Sequence, residues 1–164
     1  MPKLWYYIIE AMYLRVKKVP LIITGFLLII PVFAFAQTAA ELETVLGSQN
    51  LTCAQAAGFV LAAAADTGVK NTSKEAFEQA IAKGWLPQGA KPEENITLGS
   101  LSFLIMKAFN IKGGVMYTFF PGPRYAFRAM VSRSYIQGSA DPGMKVSGDR
   151  FLRILGKVLS ATGG

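Results

Sequence analysis

Apolar residues recur every three or four positions through most of the chain after residue 50, in short stretches separated by Gly, Pro and Asn. This spacing is typical of amphipathic helices joined by turns. The pattern predicts helices from Thr52 to about Ala65, from Thr72 to Gly84, from Thr97 to Asn110, over 124–134 and over 148–160. The sequence therefore predicts an all-α fold of short helices packed as a small bundle.

Two of the predicted helices begin with a capping box, in which a Thr side chain and a Gln or Glu three residues later exchange backbone hydrogen bonds. The pairs are Thr52 with Gln55 and Thr72 with Glu75. In the last predicted helix the side chains expected to face the core are Phe151, Ile154, Leu155, Val158 and Leu159. Pro123 suits the first position of a helix, so it marks the start of the helix over 124–134.

The segment 115–120 reads Val-Met-Tyr-Thr-Phe-Phe and is unusually apolar for a connection. It is predicted to be a short strand or a buried extended run. The alternative is an exposed patch that docks onto a partner or a membrane surface. On that alternative Tyr117, Phe119 and Phe120 are the candidate partner-binding residues.

Residues 1–36 have the organisation of a secretory signal peptide. Basic residues precede an apolar run from Leu21 to Ala36, which closes on the small-x-small sequence Ala34-Phe35-Ala36. The hypothesis is cleavage before Gln37, and the alternative is an uncleaved signal anchor. A start at Met12 instead of Met1 would leave a signal of ordinary length. The protein is thus expected to be exported, periplasmic or envelope-associated, in a bacterium.

Composition excludes several kinds of chemistry. The chain of 164 residues contains no His and one Cys, so a Ser-His-Asp hydrolase, a His-ligated zinc site and an internal disulfide are all excluded. No carboxylate pair is marked as catalytic, and we expect a non-enzymatic protein without metal or cofactor. Because residues 1–36 hold four basic residues and one acidic residue, the net charge of the remainder is +4 instead of +7, which argues against a nucleic-acid partner. Cys53 is interpreted as a small buried helix residue.

An internal repeat of about 50 residues is the most informative pattern. Ile96-Thr97 aligns with Val146-Ser147, and 82–89 aligns with 132–138 if the second copy lacks one turn residue. Leu51-Thr52 begins an earlier half-copy. Such a period predicts a small array of helix pairs that pack on one another. The predicted organisation is a signal peptide at 1–36, a linker or weak helix at 37–50, a helical repeat domain at 51–160 and a tail at 161–164.

These motifs resemble the S-layer homology family, in which a helix ends in glycine before an aromatic or aliphatic pair, and a Gly/Pro loop leads to an Ile-Thr-Arg-Ala-Glu-like helix start. Gly84-Trp85-Leu86 with Ile96-Thr97, and Tyr135-Ile136 with Val146-Ser147, fit two such units over roughly 51–160. The resemblance implies a non-enzymatic module that binds peptidoglycan or another wall polymer through the motif arginine. That arginine position is occupied here by Cys53, Leu98 and Gly148, and the glutamate position by Gln55, Ser100 and Arg150.

The candidate ligand-binding residues combine a basic face with two aromatic side chains. Arginines can bind phosphate or carboxylate groups through paired donors, and aromatic rings after a helix can stack on sugars. The candidates are Arg124, Arg128, Arg133, Arg150, Trp85 and Tyr135, with Arg153 beside Arg150. The expected partner is a cell-wall polymer, with membrane proximity. The alternative function is a periplasmic scaffold or assembly subunit that binds a protein of an envelope machine.

Overall fold

The computed structural model describes residues 42–64 and 72–162. The chain divides into two compact units, Met1–Glu43 and Thr44–Gly164, and nearly all of the described residues belong to the second. The signal-peptide prediction and both candidate start positions lie outside the described residues. So does the sequence between Ala64 and Thr72, where the first predicted helix should end.

The described part of the second unit is all-α, as the apolar spacing predicts. After residue 50 its helices are α1 (Cys53–Ala64), α2 (Ser73–Ala82), α3 (Leu98–Ala108), α4 (Val115–Phe119), α5 (Pro123–Ser132) and α6 (Gly148–Thr162). The antiparallel-bridge pairs Thr52 with Asn95 and Thr97 with Lys145 are isolated and form no strand. None of the helices in the described ranges is both long and apolar enough to cross a membrane.

Local hydrogen bonds explain where the helices start. Thr72 Oγ1 accepts from the Glu75 amide at 3.3 Å while the Glu75 carboxylate accepts from the Thr72 amide at 2.9 Å. Thr52 and Gln55 make the same exchange at 3.2 and 3.1 Å. Both predicted capping boxes are therefore confirmed. Each supplies a partner for amides that a helix start otherwise leaves unpaired.

Three backbone segments meet in a closed ring of hydrogen bonds. The Leu51 amide donates to the Val146 carbonyl at 2.7 Å, the Ile96 amide to the Leu51 carbonyl at 2.9 Å, and the Val146 amide to the Ile96 carbonyl at 3.3 Å. All three side chains are completely buried. Because each segment both donates to one neighbour and accepts from the other, the three parts of the chain interlock at this point.

The same ring places a loop carbonyl over the start of each following helix. The amides of Cys53, Leu98 and Gly148 donate respectively to the carbonyls of Glu94, Met144 and Ser48, at 2.8, 2.8 and 3.0 Å. At Gly148 a Cβ atom would overlap the Val45 carbonyl, so only glycine allows this approach. At the start of α1, α3 and α6, an amide that would otherwise lack a partner thus donates to a carbonyl from another part of the chain.

Helix pairs complete the core. Helix α1 packs on α2 and on α3, and α5 packs on α3 and on α4. From 73 to 155, corresponding features recur at a constant distance of 50 residues, including the left-handed residues Gly84 (φ 65°) and Ser134 (φ 61°) and the buried Leu86 and Ile136. The predicted loss of one turn residue in the later segment is therefore wrong, because 84–90 and 134–140 have the same length and burial pattern.

Two further expectations need correction. Residues 115–120 form no strand or buried run, because Val115–Phe119 is a helix whose end bonds back to its own first turn. Leu159 does not face the core, since it is 40% exposed. In the region predicted as a linker or weak helix, residues 42–47 are helical, in agreement with the second alternative, and Val45 is 1% exposed in the core. The compact unit thus begins before Leu51.

Candidate functional site

A cavity of about 1090 Å³ lies between the turn that follows α5 and one face of α6. Its lining is basic at several points and combines small, polar and apolar side chains elsewhere. We call it the basic cavity, and it is lined by Arg133, Ser134, Tyr135, Gln137, Gly138, Ser139, Arg150, Leu152, Arg153, Ile154, Gly156, Lys157, Ser160 and Ala161. The exposed Gly156 carries no side chain that could narrow the space on the α6 side.

The turn side of the cavity is fixed by left-handed backbone and by long cationic side chains. Ser134 and Gly138 have φ of 61° and 77°, and the Tyr135 amide donates to the Met130 carbonyl at 3.0 Å. Arg150 Nη2 donates to the Ser139 carbonyl at 3.0 Å and to the Gln137 carbonyl at 3.4 Å. Lys157 Nζ donates to the Ser134 carbonyl at 3.2 Å. Because of these bonds, α6 holds the turn through the same residues that give the cavity its charge.

The electrostatic balance of the lining is strongly positive. Arg133, Arg150, Arg153 and Lys157 all contribute, and the lining contains no carboxylate. Asp149, just outside it, pairs with Arg153 at 2.6 Å, and the two side chains are 60% and 70% exposed. A pair this exposed adds little stability. An arginine has five N–H donors, so the bonds to backbone leave donors for a ligand.

The arrangement has the chemistry of an anion-binding site. Guanidinium and ammonium groups favour phosphate and carboxylate oxygens, and Tyr135 adds a half-buried ring beside them. The lining offers no carboxylate or cysteine for acid-base or nucleophilic steps. Among the described residues no cluster of acidic or sulfur side chains could hold a metal ion.

The structure separates the residues that the sequence placed on one basic face. Arg133 and Arg150 line the cavity together with Tyr135, and Arg153 lies beside them. Arg124 and Arg128 are exposed on α5 but do not line it. Sequence reasoning missed Lys157, although its spacing of seven residues from Arg150 places both on one face of α6.

Trp85 occupies the position that corresponds to Tyr135, in another part of the molecule. It is half-buried at the end of α2 and packs against the core. Lys83 Nζ lies 4.5 Å from the centre of its ring, a cation–π contact. Trp85 therefore does not belong to the basic cavity.

The three candidate partner-binding residues differ in their exposure to solvent. Tyr117 is 9% exposed, with its ring edge-to-face with Phe103 at 6.3 Å, and burial raises the pKa of its phenol. Phe119 and Phe120 are 73% and 63% exposed. Tyr117 thus anchors α4, while the two phenylalanines remain available for contact.

Cys53 is free and buried at the first position of α1, as interpreted from the sequence. Burial, with a smaller contribution from Glu94, raises the pKa of its thiol to about 11. A thiol that stays protonated at neutral pH is a weak nucleophile.

Comparison with known proteins gives this chain no relative: no protein-family model, curated protein or solved structure matches it.

Proposed function

We propose that the protein is an exported, non-enzymatic module of a bacterial cell envelope that binds an anionic wall polymer in the basic cavity. The observation that carries this proposal is the cavity's lining, four cations with no carboxylate beside a tyrosine ring. A polymer bearing phosphate or carboxylate groups between sugar rings offers complementary groups to both parts of the lining. The signal-like pattern of residues 1–36 supports an extracytoplasmic location.

The resemblance to S-layer homology modules supports the same class of ligand and indicates how this chain would differ. The motif's arginine position holds Cys53, Leu98 and Gly148, none of which carries charge. Arg150 lies two residues after Gly148, at the motif's glutamate position, and it is the residue that crosses to the turn carbonyls. On this proposal the scaffold is kept and the charge that binds the polymer comes from Arg150 and its neighbours on α6.

Sedimentation with isolated peptidoglycan sacculi, with and without their attached anionic polymers, tests the proposal. We expect the protein to pellet with the anionic material, and pelleting to fall with added salt because the contacts are ionic. The double variant Arg150→Ala/Arg153→Ala should lose most binding. The matched control is Arg124→Ala/Arg128→Ala, which removes the same charge outside the cavity and should bind normally.

Two results would count against the proposal. Equal binding by the cavity variant and the wild type would show that the cavity is not the site. Failure of the wild type to pellet at any salt concentration would remove the polymer altogether. The alternative function, a scaffold subunit of an envelope machine, would then be tested by crosslinking in cells.

A further inference from the structure

We propose that the exposed apolar surface around α4 inserts into the interfacial region of an anionic lipid membrane. We call this surface the apolar tip, and it consists of Val115, Met116, Phe119 and Phe120. It does not overlap the lining of the basic cavity, so the inference goes beyond the proposed function.

The tip concentrates large apolar side chains where a folded protein normally avoids them. Val115 is 71% exposed, Met116 51%, Phe119 73% and Phe120 63%, all within six consecutive residues. Single exposed apolar residues are ordinary, but a contiguous group marks a site of interaction. Aromatic side chains are particularly favoured where an apolar phase meets water.

The exposure is built into the fold, because the residue between these side chains is tied to the core. Tyr117 is buried against Phe103, and its ring packs so closely on Gly113 that a Cβ there would overlap it. Pro121 and Pro123 follow immediately and restrict the backbone that leads into α5. Helix α4 also packs on α5. Contacts with the core thus hold Tyr117 in place and leave the side chains of the apolar tip exposed.

The charges nearest to the tip along the sequence have one sign. Between residues 95 and 140 the sequence contains five Lys or Arg and no Asp or Glu. Of these, Lys112 precedes α4, Arg124 follows Phe120 by four residues, and Arg128 lies one helical turn further on. All three side chains are exposed, and Arg124 and Arg128 share one face of α5.

Apolar side chains whose nearest charges along the sequence are cations match an anionic bilayer better than other partners. The acyl boundary accepts the phenylalanines, and the negatively charged headgroups attract Lys112, Arg124 and Arg128. A wall polymer offers no apolar phase for Phe119 and Phe120. A protein partner would satisfy the apolar side chains, but it would need an acidic rim to match these cations.

A fluorescent probe at position 119 in the full-length chain tests insertion at the tip itself, whatever residues 1–36 do. The background variant Cys53→Ala removes the only cysteine, and Phe119→Cys then carries an environment-sensitive fluorophore. If Cys53→Ala fails to fold, Phe119→Cys is labelled in the protein that retains Cys53. Cys53 is buried and its raised pKa slows its reaction with the fluorophore. The matched control places the probe at the exposed Gln88.

We expect a blue shift and quenching by spin-labelled lipid with phosphatidylglycerol-containing vesicles, and neither with pure phosphatidylcholine. The probe at Gln88 should remain in water with both. Arg124→Gln/Arg128→Gln should weaken the apparent vesicle affinity at the tip by roughly 25-fold, since each cation near an anionic surface contributes about a fivefold factor. A probe moved to Val115→Cys should lose its shift when Phe119→Ser/Phe120→Ser is added.

Three results would overturn the inference. An unchanged spectrum at position 119 with anionic vesicles would show that the tip does not insert. An equal shift with both vesicle types would show that charge plays no part. A shift that appears without lipid as protein concentration rises would identify a second copy of the chain as the occupant.

Discussion

The turns after α2 and α5 begin alike, with a left-handed residue at Gly84 and at Ser134, but stand beside very different spaces. The Trp85 amide donates to the Ala80 carbonyl at 2.8 Å, as the Tyr135 amide does to Met130 at 3.0 Å. Around the first turn lies a cavity of about 190 Å³ whose lining includes Glu94 and no cation. The basic cavity beside the second is about 1090 Å³. The backbones differ within the turns, because Gly138 is left-handed and the corresponding Gln88 is not, and the side chains beside the turns differ as well.

The helix that follows each turn supplies those side chains. Helix α3 has Phe103 and Met106, both buried, and Tyr117 packs on Phe103. The corresponding residues of α6 are Arg153 and Gly156, both exposed. The residue at the start of the helix also differs, Ser100 in α3 and Arg150 in α6. One face of the same structural element is thus used for packing in the middle of the chain and left open and charged near its end.

The largest effect is expected at the position where α3 and α6 each contribute a buried side chain to the core. Phe151 is completely buried and edge-to-face with Phe59 at 6.1 Å, and it corresponds to Leu101, which is 1% exposed. Phe151→Ala should lower the free energy of unfolding by about 3–5 kcal/mol and Leu101→Ala by about 2–5 kcal/mol. Urea denaturation measures both. Arg153→Ala, on the open face, should stay within about 0.5 kcal/mol, and a loss as large as that of Phe151→Ala would contradict the comparison.

The next largest effect is expected at the contact between Gly113 and the Tyr117 ring, which helps to hold Tyr117 against α3. In Gly113→Ala the new Cβ would overlap the Tyr117 ring, so the variant should lose about 1–3 kcal/mol of stability and partly release Tyr117. The chemical denaturation midpoint and the near-ultraviolet signal of tyrosine report the two changes. Gly89→Ala is the control, because nothing lies within 4 Å of a Cβ there. Equal stability of both variants would show that Tyr117 is not held by this contact.

Local signals in the sequence were enough for the helix starts. A capping box needs only residues three apart, so Thr52 with Gln55 and Thr72 with Glu75 could be recognised without tertiary information. The strand prediction at 115–120 failed because aromatic and β-branched residues favour strands, while the contact of Tyr117 with Gly113 and Phe103 favours a short helix.

The candidate site was only partly predictable for a similar reason. The sequence shows which cations share a helix face, but not which turn that face will meet. Arg150 and Tyr135 were expected to bind ligand and do line one cavity, whereas Arg124 and Arg128 lie apart from it. The bonds from Arg150 and Lys157 to turn carbonyls join residues 11 to 23 positions apart. No periodicity in the sequence encodes such pairings.

The first residue of α1, α3 and α6 gives a pH-dependent contrast, since Cys53 corresponds to the non-titrating Leu98 and Gly148. Burial raises the thiol's pKa from 9.0 to about 11, so the folded state holds its proton more tightly than the unfolded chain does. This contribution to stability is complete below pH 9 and is lost as pH rises towards 11, by about 3 kcal/mol at most. The unfolding free energy of wild type should therefore fall more steeply over that window than that of Cys53→Ala. Parallel pH profiles would contradict the assignment.

A smaller effect is expected from giving α6 the residue that α3 has. Arg150→Ser removes the bonds to the Gln137 and Ser139 carbonyls, and we expect a loss of about 1 kcal/mol because the site is partly exposed to water. Hydrogen exchange of the backbone amides at residues 135–139 should become faster, since the turn is no longer held by Arg150. Ser100→Ala, at the corresponding position of α3, is the control and should leave that turn unchanged. If exchange in Arg150→Ser matched wild type, Arg150 would have no role in shaping the cavity.

The smallest effect separates stability from binding at the edge of the basic cavity. Asp149 lies in the first turn of α6 and pairs with Arg153 across exposed surface, so Asp149→Asn should cost less than about 1 kcal/mol, screened by salt. The same change frees the Arg153 guanidinium and removes a negative charge that repels anions. On the proposed function, polymer binding should strengthen while stability slightly falls, in paired denaturation and sedimentation measurements at low salt. Weaker binding would mean that Asp149 positions Arg153 for the ligand, in which case the ion pair belongs to the site and the contrast between α3 and α6 extends to the way each cation is held.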